Sequence, residues 1–465
     1  MKKKWLGALA ALALMAGLTA CQDEEVPSYL VIEDVDDDEF DIHGKVIMGV
    51  TDPAEVPAHV KIPNGIVGIY YEAFKGCTSL VSVTIPGSVT AIDMDAFRDC
   101  TSLKNVKIPS SVTYIGSGAF YGCTSLVSVT IPKSVKIIDD DAFKDCTSLA
   151  SVAIPKSVEK IGYRAFSGCT SLKNVTIADG VKEIGASAFR DCTSLVSVTI
   201  PGSVKEIAVN AFDGCKSLAN MTISKGVEKI GSGAFYGCTS LKSVTIADGV
   251  KEIGELAFDG CTSLASMSIP GSVKEIGIGA FMSCTSLVSV SIPSSVTAIG
   301  SGAFRGCTSL ASVSISNSVT EIGVNVFRDC TSLMNVTIPE NVEKIGGSAF
   351  DCCTSLASVS IPGSVKEIGV FAFVGCKSLT SVSIPASVTA IGKGAFQDCT
   401  SLKNVTIPCS VKEIGKDAFQ DCTSLKEVTF DCSKERVLNQ WKTLYSKLSL
   451  RRGIVLHCTD GNLNW

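Results

Sequence analysis

Tryptophan and histidine are nearly missing from this chain: three of each occur in 465 residues. Hydrolytic triads need a base held against a nucleophile, and neither His43, His59 nor His457 stands in such a context. Aromatics of all kinds make up 6% of the residues against 46% hydrophobic, a mix that suits many thin, similar layers better than one large core. Net positive charge is also lacking. The formal charge is −5, and −8 without Lys2, Lys3 and Lys4, which argues against nucleic acid or an anionic bilayer surface as partner. No Cys-x-x-Cys pair suggests a zinc site, and no EF-hand loop is present; no cofactor is expected. Beyond residue 18 no apolar run approaches the length of a membrane span.

The single long apolar run, Trp5 to Leu18, follows those three lysines and reads as a signal peptide over residues 1–20. It closes on Leu18-Thr19-Ala20-Cys21, which resembles the bacterial lipobox; the resemblance implies cleavage before Cys21 and lipidation there. Acyl chains contribute about 0.8 kcal/mol per buried methylene, and several together hold a protein stably on a membrane. Residues 21–45 carry Asp23, Glu24, Glu25, Glu33, Asp34, Asp36, Asp37, Asp38, Glu39 and Asp41. Self-repulsion of such a segment predicts an extended acidic tether.

From residue 46 to 430 the chain repeats every 23 residues. The phenylalanine of Ala-Phe recurs sixteen times from Phe74 to Phe419, and the cysteine of Cys-Thr-Ser-Leu sixteen times from Cys77 to Cys422. An incomplete first copy supplies Val60 and Ile62. A fixed period of this size signals stacked units that cannot bury an apolar face alone. Within one copy, Leu80, Val83 and Ile85 predict a short strand whose alternation turns Ser82 and Thr84 outward. Pro86 ends that strand. Val89 and Ile92 face inward from a second extended stretch, a glycine such as Gly116 turns the corner, and Ala96-Phe97 plugs the far side from a short helical turn. Ala178, Ser224, Ala247 and Ser316 replace the proline in four copies.

The pattern Cys-x-x-Leu-x-x-Val-x-Ile-Pro-x-x-Val-x-x-Ile-Gly-x-x-Ala-Phe is similar to the 23-residue leucine-rich repeat of the BspA-like, or treponemal-type, bacterial surface proteins, over residues 60–430. The resemblance implies an α/β solenoid of about 17 rungs, curved, with a parallel sheet on its concave side, carried on a cell surface and used in adhesion or host interaction. Residues 431–465 break the period. Val437, Leu438, Trp441, Leu444, Tyr445 and Leu448 are helically spaced, and Ile454-Val455-Leu456 reads as a strand, so this segment serves as the cap a solenoid end requires. Trp441, on the apolar stripe, is expected in the core.

Twenty cysteines follow Cys21. Repeat cysteines stacked at about 4.8 Å have parallel Cβ vectors, which disfavours bridging, so a reduced, buried ladder is expected. Off the ladder, Cys432 and Cys458 in the cap stand as a candidate disulfide, with sequence leaving bridged and free forms equally open. Cys352, beside Cys353, and Cys409, in a turn, are the expected reactive thiols. Asp93 and Asp95 lie two rungs from Asp139, Asp140 and Asp141; solvated corner acids are favoured over a metal or sugar site. Alternating Lys-Glu pairs such as Lys182-Glu183 and Glu228-Lys229 predict an ion-paired stripe.

The outward strand positions form the candidate binding surface. One column includes Ser151, Asn174, Ser197, Asn220, Ser243 and Ser266, its neighbour Thr176, Thr199, Thr222, Thr245 and Ser268. This hydroxyl and amide lattice suits a host matrix protein, a bacterial surface protein or a glycan. It lacks the Trp, Tyr or Arg anchors of tight interfaces, so each site binds weakly and many copies add avidity. The expectation is a monomeric, non-enzymatic adhesin or interaction scaffold. A surface-coat antigen without a dedicated ligand is the alternative, and a polysaccharide-active enzyme a more remote one.

Overall fold

A computed structural model describes residues 26–37, 42–440, 450 and 453–463. The signal segment, Cys21 and its lipidation, and Trp441, Leu444, Tyr445 and Leu448 lie outside the described residues. Each rung contributes two short strands, and every rung strand pairs in parallel with its counterpart 23 residues away, as Ser151 with Asn174 and Lys160 with Glu183. The first strands, from His59–Lys61 to Glu427–Asp431, build what we term the front sheet. The second strands, from Ile66–Ile69 to Glu413–Ile414, build the back sheet. Seventeen first strands give seventeen rungs, the expected number.

Period-2 alternation dictates the layer between the sheets. In the strand Ser197–Ile200, Val198 and Ile200 are buried while Ser197 and Thr199 are exposed. Leu, Val, Ile, Val, Ile, Ala, Phe and Cys of successive rungs form one continuous core. The phenylalanines stack face to face from Phe74 to Phe419, with centroids 5.1 to 5.7 Å apart. Burying each ring contributes roughly 1.5–3 kcal/mol, and stacking of this offset kind adds to it.

The helical share of the expected α/β architecture is almost absent. The helical turn expected at Ala-Phe is a double tight turn, closed within the rung by Arg98 N–H to Asp95 O and Cys100 N–H to Phe97 O. Its other amides run to the next rung: those of Asp95, Phe97 and Asp99 reach the carbonyls of Ser117, Ala119 and Tyr121 at 2.7–2.8 Å. The far side of the solenoid is therefore a third backbone ladder. Two residues per rung have positive φ to make this turn, such as Asp95 (55°) and Asp99 (57°), and Gly118 (63°) and Gly122 (69°) one rung on. Gly, Asp and Asn visit this left-handed region readily. The glycine read as a corner has another task. Gly116 has no positive φ, but a Cβ on it would lie 2.7 Å from the backbone of Asp93 and Met94 one rung before, so its absence of side chain lets rungs close up.

Within the described residues the acidic stretch, expected as an extended tether, is folded onto the solenoid. Leu30–Asp37 and Ile42–Val50 form an antiparallel hairpin, and the latter strand pairs in parallel with Ile66–Ile69 to end the back sheet. Leu30, Val46 and Ile47 are buried, which holds the hairpin on despite its acids. At the other end, Val455–Cys458 and Gly461–Leu463 extend the front sheet beyond Glu427–Asp431. The described part of the cap helix is Lys434–Gln440; Val437 is buried, while Leu438, expected on the apolar stripe, is 51% exposed.

Among the described residues the ladders open at two neighbouring rung interfaces. The front sheet is interrupted between Ser266–Met267 and Ser289–Ile292, and the back sheet between Ala298–Ile299 and Glu321–Ile322. At the second gap Val326 occupies the slot held elsewhere by alanine, and the Phe304–Phe327 stack is the widest at 5.7 Å. A Cβ on Gly323 would meet Ile299 O at 3.3 Å, whereas one on Gly300 would lie 2.4 Å from the preceding backbone. Val326, with two methyls more than alanine, lies at this widened interface.

Three outcomes are expected. Val326→Ala closes the gap, seen as slower hydrogen exchange at the Thr320 and Gly323 amides. Gly254→Ala, whose Cβ would lie 2.7 Å from the Gly231–Ser232 backbone, destabilises by about 1–3 kcal/mol in denaturant titration. Leu256 has φ of 53°, and Leu256→Asn stabilises by roughly 1 kcal/mol by relieving it.

Candidate binding face

Strand pairing decides how the candidate residues are displayed. Register places Ser151 beside Asn174, Asn174 beside Ser197, Ser197 beside Asn220, Asn220 beside Ser243 and Ser243 beside Ser266. Thr199 lies beside Thr222 and Thr222 beside Thr245. All eleven candidates, Thr176 and Ser268 included, are exposed. They form two columns at the sheet spacing of about 4.8 Å.

Some of this lattice is occupied internally. Ser128, Ser243 and Ser358 donate to the side-chain oxygens of Asn105, Asn220 and Asn335 one rung before, at 3.1–3.3 Å. At the N-terminal end the face changes character: Lys61, Thr84 and Lys107 stand in one row. There His59 Nδ1 is hydrogen-bonded to Ser82 Oγ at 2.8 Å. This His-Ser contact was not anticipated from the sequence, since 23 residues separate the pair and only strand register joins them. It lies on the front sheet's first two strands.

The corner acids are engaged by the protein. Tyr114 Oη donates to Asp139 Oδ2 at 2.7 Å, the Met94 amide to Asp93 at 2.7 Å and the Tyr163 amide to Asp140 at 2.8 Å. Burial, followed by Asp139, pushes the Tyr114 phenol well above its ordinary value. Asp95 and Asp141 sit at left-handed turn positions and face Arg98 and Lys144 at 3.4 and 3.7 Å. Among the described residues no group of three His, Cys, Asp or Glu is arranged to hold a metal. The Lys-Glu stripe runs along the back sheet as expected, with Lys182–Glu159 and Lys251–Glu228 each at 2.7 Å and Lys366–Glu343 at 2.9 Å.

The repeat cysteines form a reduced ladder, all buried. Each from Cys100 to Cys422 donates its thiol to the carbonyl of the phenylalanine 26 residues earlier, as Cys238 to Phe212 at 3.3 Å and Cys422 to Phe396 at 3.1 Å. Cysteine therefore supplies both a small apolar body and a weak donor, a role visible only once the rungs are stacked. Burial pushes these thiols up. Cys352, expected to be exposed and reactive, is half-buried, and burial and the neighbouring Asp351 push its thiol up to about 11. Cys432 and Cys458 are thiols in this structure, and Cys409 lies against Cys432.

This geometry defines a leucine-rich repeat solenoid with a flat polar face. The model of the BspA type leucine rich repeat region (6 copies) matches residues 57–150, 136–265, 205–334, 254–377 and 320–441, and the chain belongs to this family. Its fold is similar to that of a leucine-rich repeat protein from Bacteroides ovatus ATCC 8483, at 28% identity over 93% of this chain and 99% of that one, with a TM-score of 0.61. A leucine rich cell surface protein from Faecalibacterium prausnitzii A2-165 matches at 26% identity over 89% of this chain and 96% of that one, with a TM-score of 0.43. A search of curated proteins finds no match. BspA-type leucine-rich repeat proteins are typically bacterial surface proteins, and the repeat family suggests a protein-interaction scaffold. Among the described residues no helix is long and apolar enough to cross a membrane.

Cys352, Cys409 and Cys458 are half-buried while the ladder thiols are buried, so maleimide labelling of the native protein at neutral pH reaches these three and spares the ladder, with Cys352, whose reactive thiolate is disfavoured, slow; peptide mapping reads the order. Raised thiol values also fix the sign of the alkaline response. A thiol that ionises later in the fold than in the unfolded chain stabilises below its ordinary value of about 9. For Cys352 that contribution is lost as pH rises from about 9 to about 11, and urea midpoints are expected to fall across this window.

Proposed function

We propose that the chain is an exported protein, held on the bacterial cell surface by a lipid on Cys21, that works as a monomeric adhesin or interaction scaffold through its front sheet. The observation that carries this reading is the alignment of Ser151, Asn174, Ser197, Asn220, Ser243 and Ser266 with Thr176, Thr199, Thr222, Thr245 and Ser268 in two exposed, in-register columns. A regular row of donors and acceptors at strand spacing fits an extended, repetitive polymer: a host matrix protein, a protein of another bacterium, or a glycan. Contact by many weak hydrogen bonds, without a deep anchor pocket, gives modest affinity per molecule. Many anchored copies convert it to firm attachment. Nothing in this mode of binding calls on a catalytic group.

The test uses the chain without its lipidated Cys21, residues 22–465, on an array of matrix proteins, glycans and intact cells. Its partner carries Thr176→Lys, Thr199→Lys, Thr222→Lys and Thr245→Lys, with folding checked by circular dichroism. Saturable binding lost in the fourfold variant is the expected result, and the class of spot that binds separates protein from glycan. Equal binding by both proteins would move the ligand to another face. No binding by the folded chain would replace the adhesin with a surface coat.

A further inference from the structure

The C-terminal end gathers three cysteines that the repeat does not require. Pro408 pairs with Asp431 at the ends of strands Asn404–Pro408 and Glu427–Asp431. The next residues, Cys409 in a turn and Cys432 in the bend that leads into the cap helix, thus stand on adjacent rungs with neighbouring side chains, beyond the last paired strand residues. Cys458 arrives from the cap. Its strand, Val455–Cys458, places His457 beside Thr429, so Cys458 lies beside Phe430, two residues before Cys432 and packed against the same core. The Thr459 amide donates to Cys432 O at 3.1 Å and fastens this corner. Exposure divides the three: Cys432 is buried, while Cys409 and Cys458 are half-buried. The ladder thiols differ on both counts, being closed to solvent and committed to phenylalanine carbonyls.

We propose that these residues form a disulfide-exchange site, with Cys409 and Cys458 as entry thiols, Cys432 as the resolving thiol, and a low-molecular-weight disulfide as the oxidant. In the first step the thiolate of Cys409 or Cys458 attacks one sulfur of the small disulfide. A mixed disulfide forms on the protein and one small thiolate leaves, taking up a proton. In the second step Cys432 gives up its proton and attacks the protein sulfur of that mixed disulfide, and the second small thiolate departs. Two protein thiols are oxidised to one disulfide and the small disulfide is reduced to two thiols. The division of labour follows from access, since only the half-buried thiols can be approached from solvent and only Cys432 adjoins both. Burial holds the Cys432 and Cys458 thiols above their ordinary value, and Arg436 beside Cys432 and Lys434 beside Cys458 offset this in part. A Cys432–Cys458 bridge ties the cap to the last rung, and a Cys409–Cys432 bridge ties the last two rungs together. Either acts where a solenoid can fray.

The experiment treats the folded chain, residues 22–465, with oxidised glutathione, alkylates free thiols and maps the peptides by mass spectrometry without reduction. The expected product is one intramolecular bridge that contains Cys432, two glutathiones released per bridge, and an alkylated third thiol. In Cys432→Ser, shown folded by circular dichroism and by an unreactive ladder, glutathione remains attached to Cys409 or Cys458. Cys409→Ser and Cys458→Ser each still bridge through the remaining entry thiol, the double variant does not, and this series decides the matter if Cys432→Ser fails to fold. A bridge between Cys409 and Cys458, a bridge at Cys352 or in the ladder, undiminished bridging without Cys432, or no bridge in the parent protein would overturn the assignment.

Discussion

The spacing of one rung to the next, set by parallel backbone pairing at about 4.8 Å, constrains everything else in this molecule. Three ladders enforce it: the front sheet, the back sheet and the turn amides of residues such as Asp95, Phe97 and Asp99. Whatever occupies a column must then tolerate a copy of itself at that distance. Phenylalanine tolerates it by stacking, cysteine by donating to the phenylalanine carbonyl of the rung before, and lysine by alternating with glutamate on the back sheet. Glycine at Gly116 and most of its equivalents leaves no Cβ to meet the neighbouring backbone, while Asp93, Asp139 and Ala208 fill the same position in other rungs. Val326 shows the tolerance from the other side, since an added bulk of two methyls at an alanine slot coincides with an open ladder.

Much of this was legible in the sequence because the repeat prints the same instruction sixteen times. Val83 with Ser82 and Thr84 gives the front strand and its outward faces, and Val89 with Ile92 gives the back one. The reduced ladder and the ion-paired stripe followed from stacking identical positions. The third ladder was hidden because its left-handed positions carry a mixed population: glycines and aspartates, but also Arg164, Leu256 and Phe371. No single-residue signature survives that mixture, so a helical turn looked equally suitable. The N-terminal hairpin was masked by its acids. Leu30, Val46 and Ile47 are few, yet they meet a waiting apolar edge that sequence alone does not reveal. The contacts of His59 with Ser82 and of Cys409 with Cys432 depend wholly on register.

The polar face gains its regularity from the same constraint that limits its specificity. Columns of hydroxyls and amides repeat with the backbone, so one rung resembles the next as a binding element. Discrimination must come from the number of rungs engaged and from the few departures along the way: Lys61 and Lys107 at one end, Ala153 in the threonine column, and asparagines already holding a neighbour's hydroxyl. A face of this design measures length and periodicity in a partner more readily than it reads a local chemical group.

The two end pieces attach to different sheets, the N-terminal hairpin to the back and the C-terminal one to the front. Each therefore grips only a terminal rung, and neither senses how many rungs separate them. Loss or duplication of 23 residues anywhere in the interior leaves both grips intact while shortening or lengthening the column by about 4.8 Å. Stature is thus an independently adjustable property of this molecule, and unequal crossing-over among its near-identical copies would generate a graded series of heights from one gene.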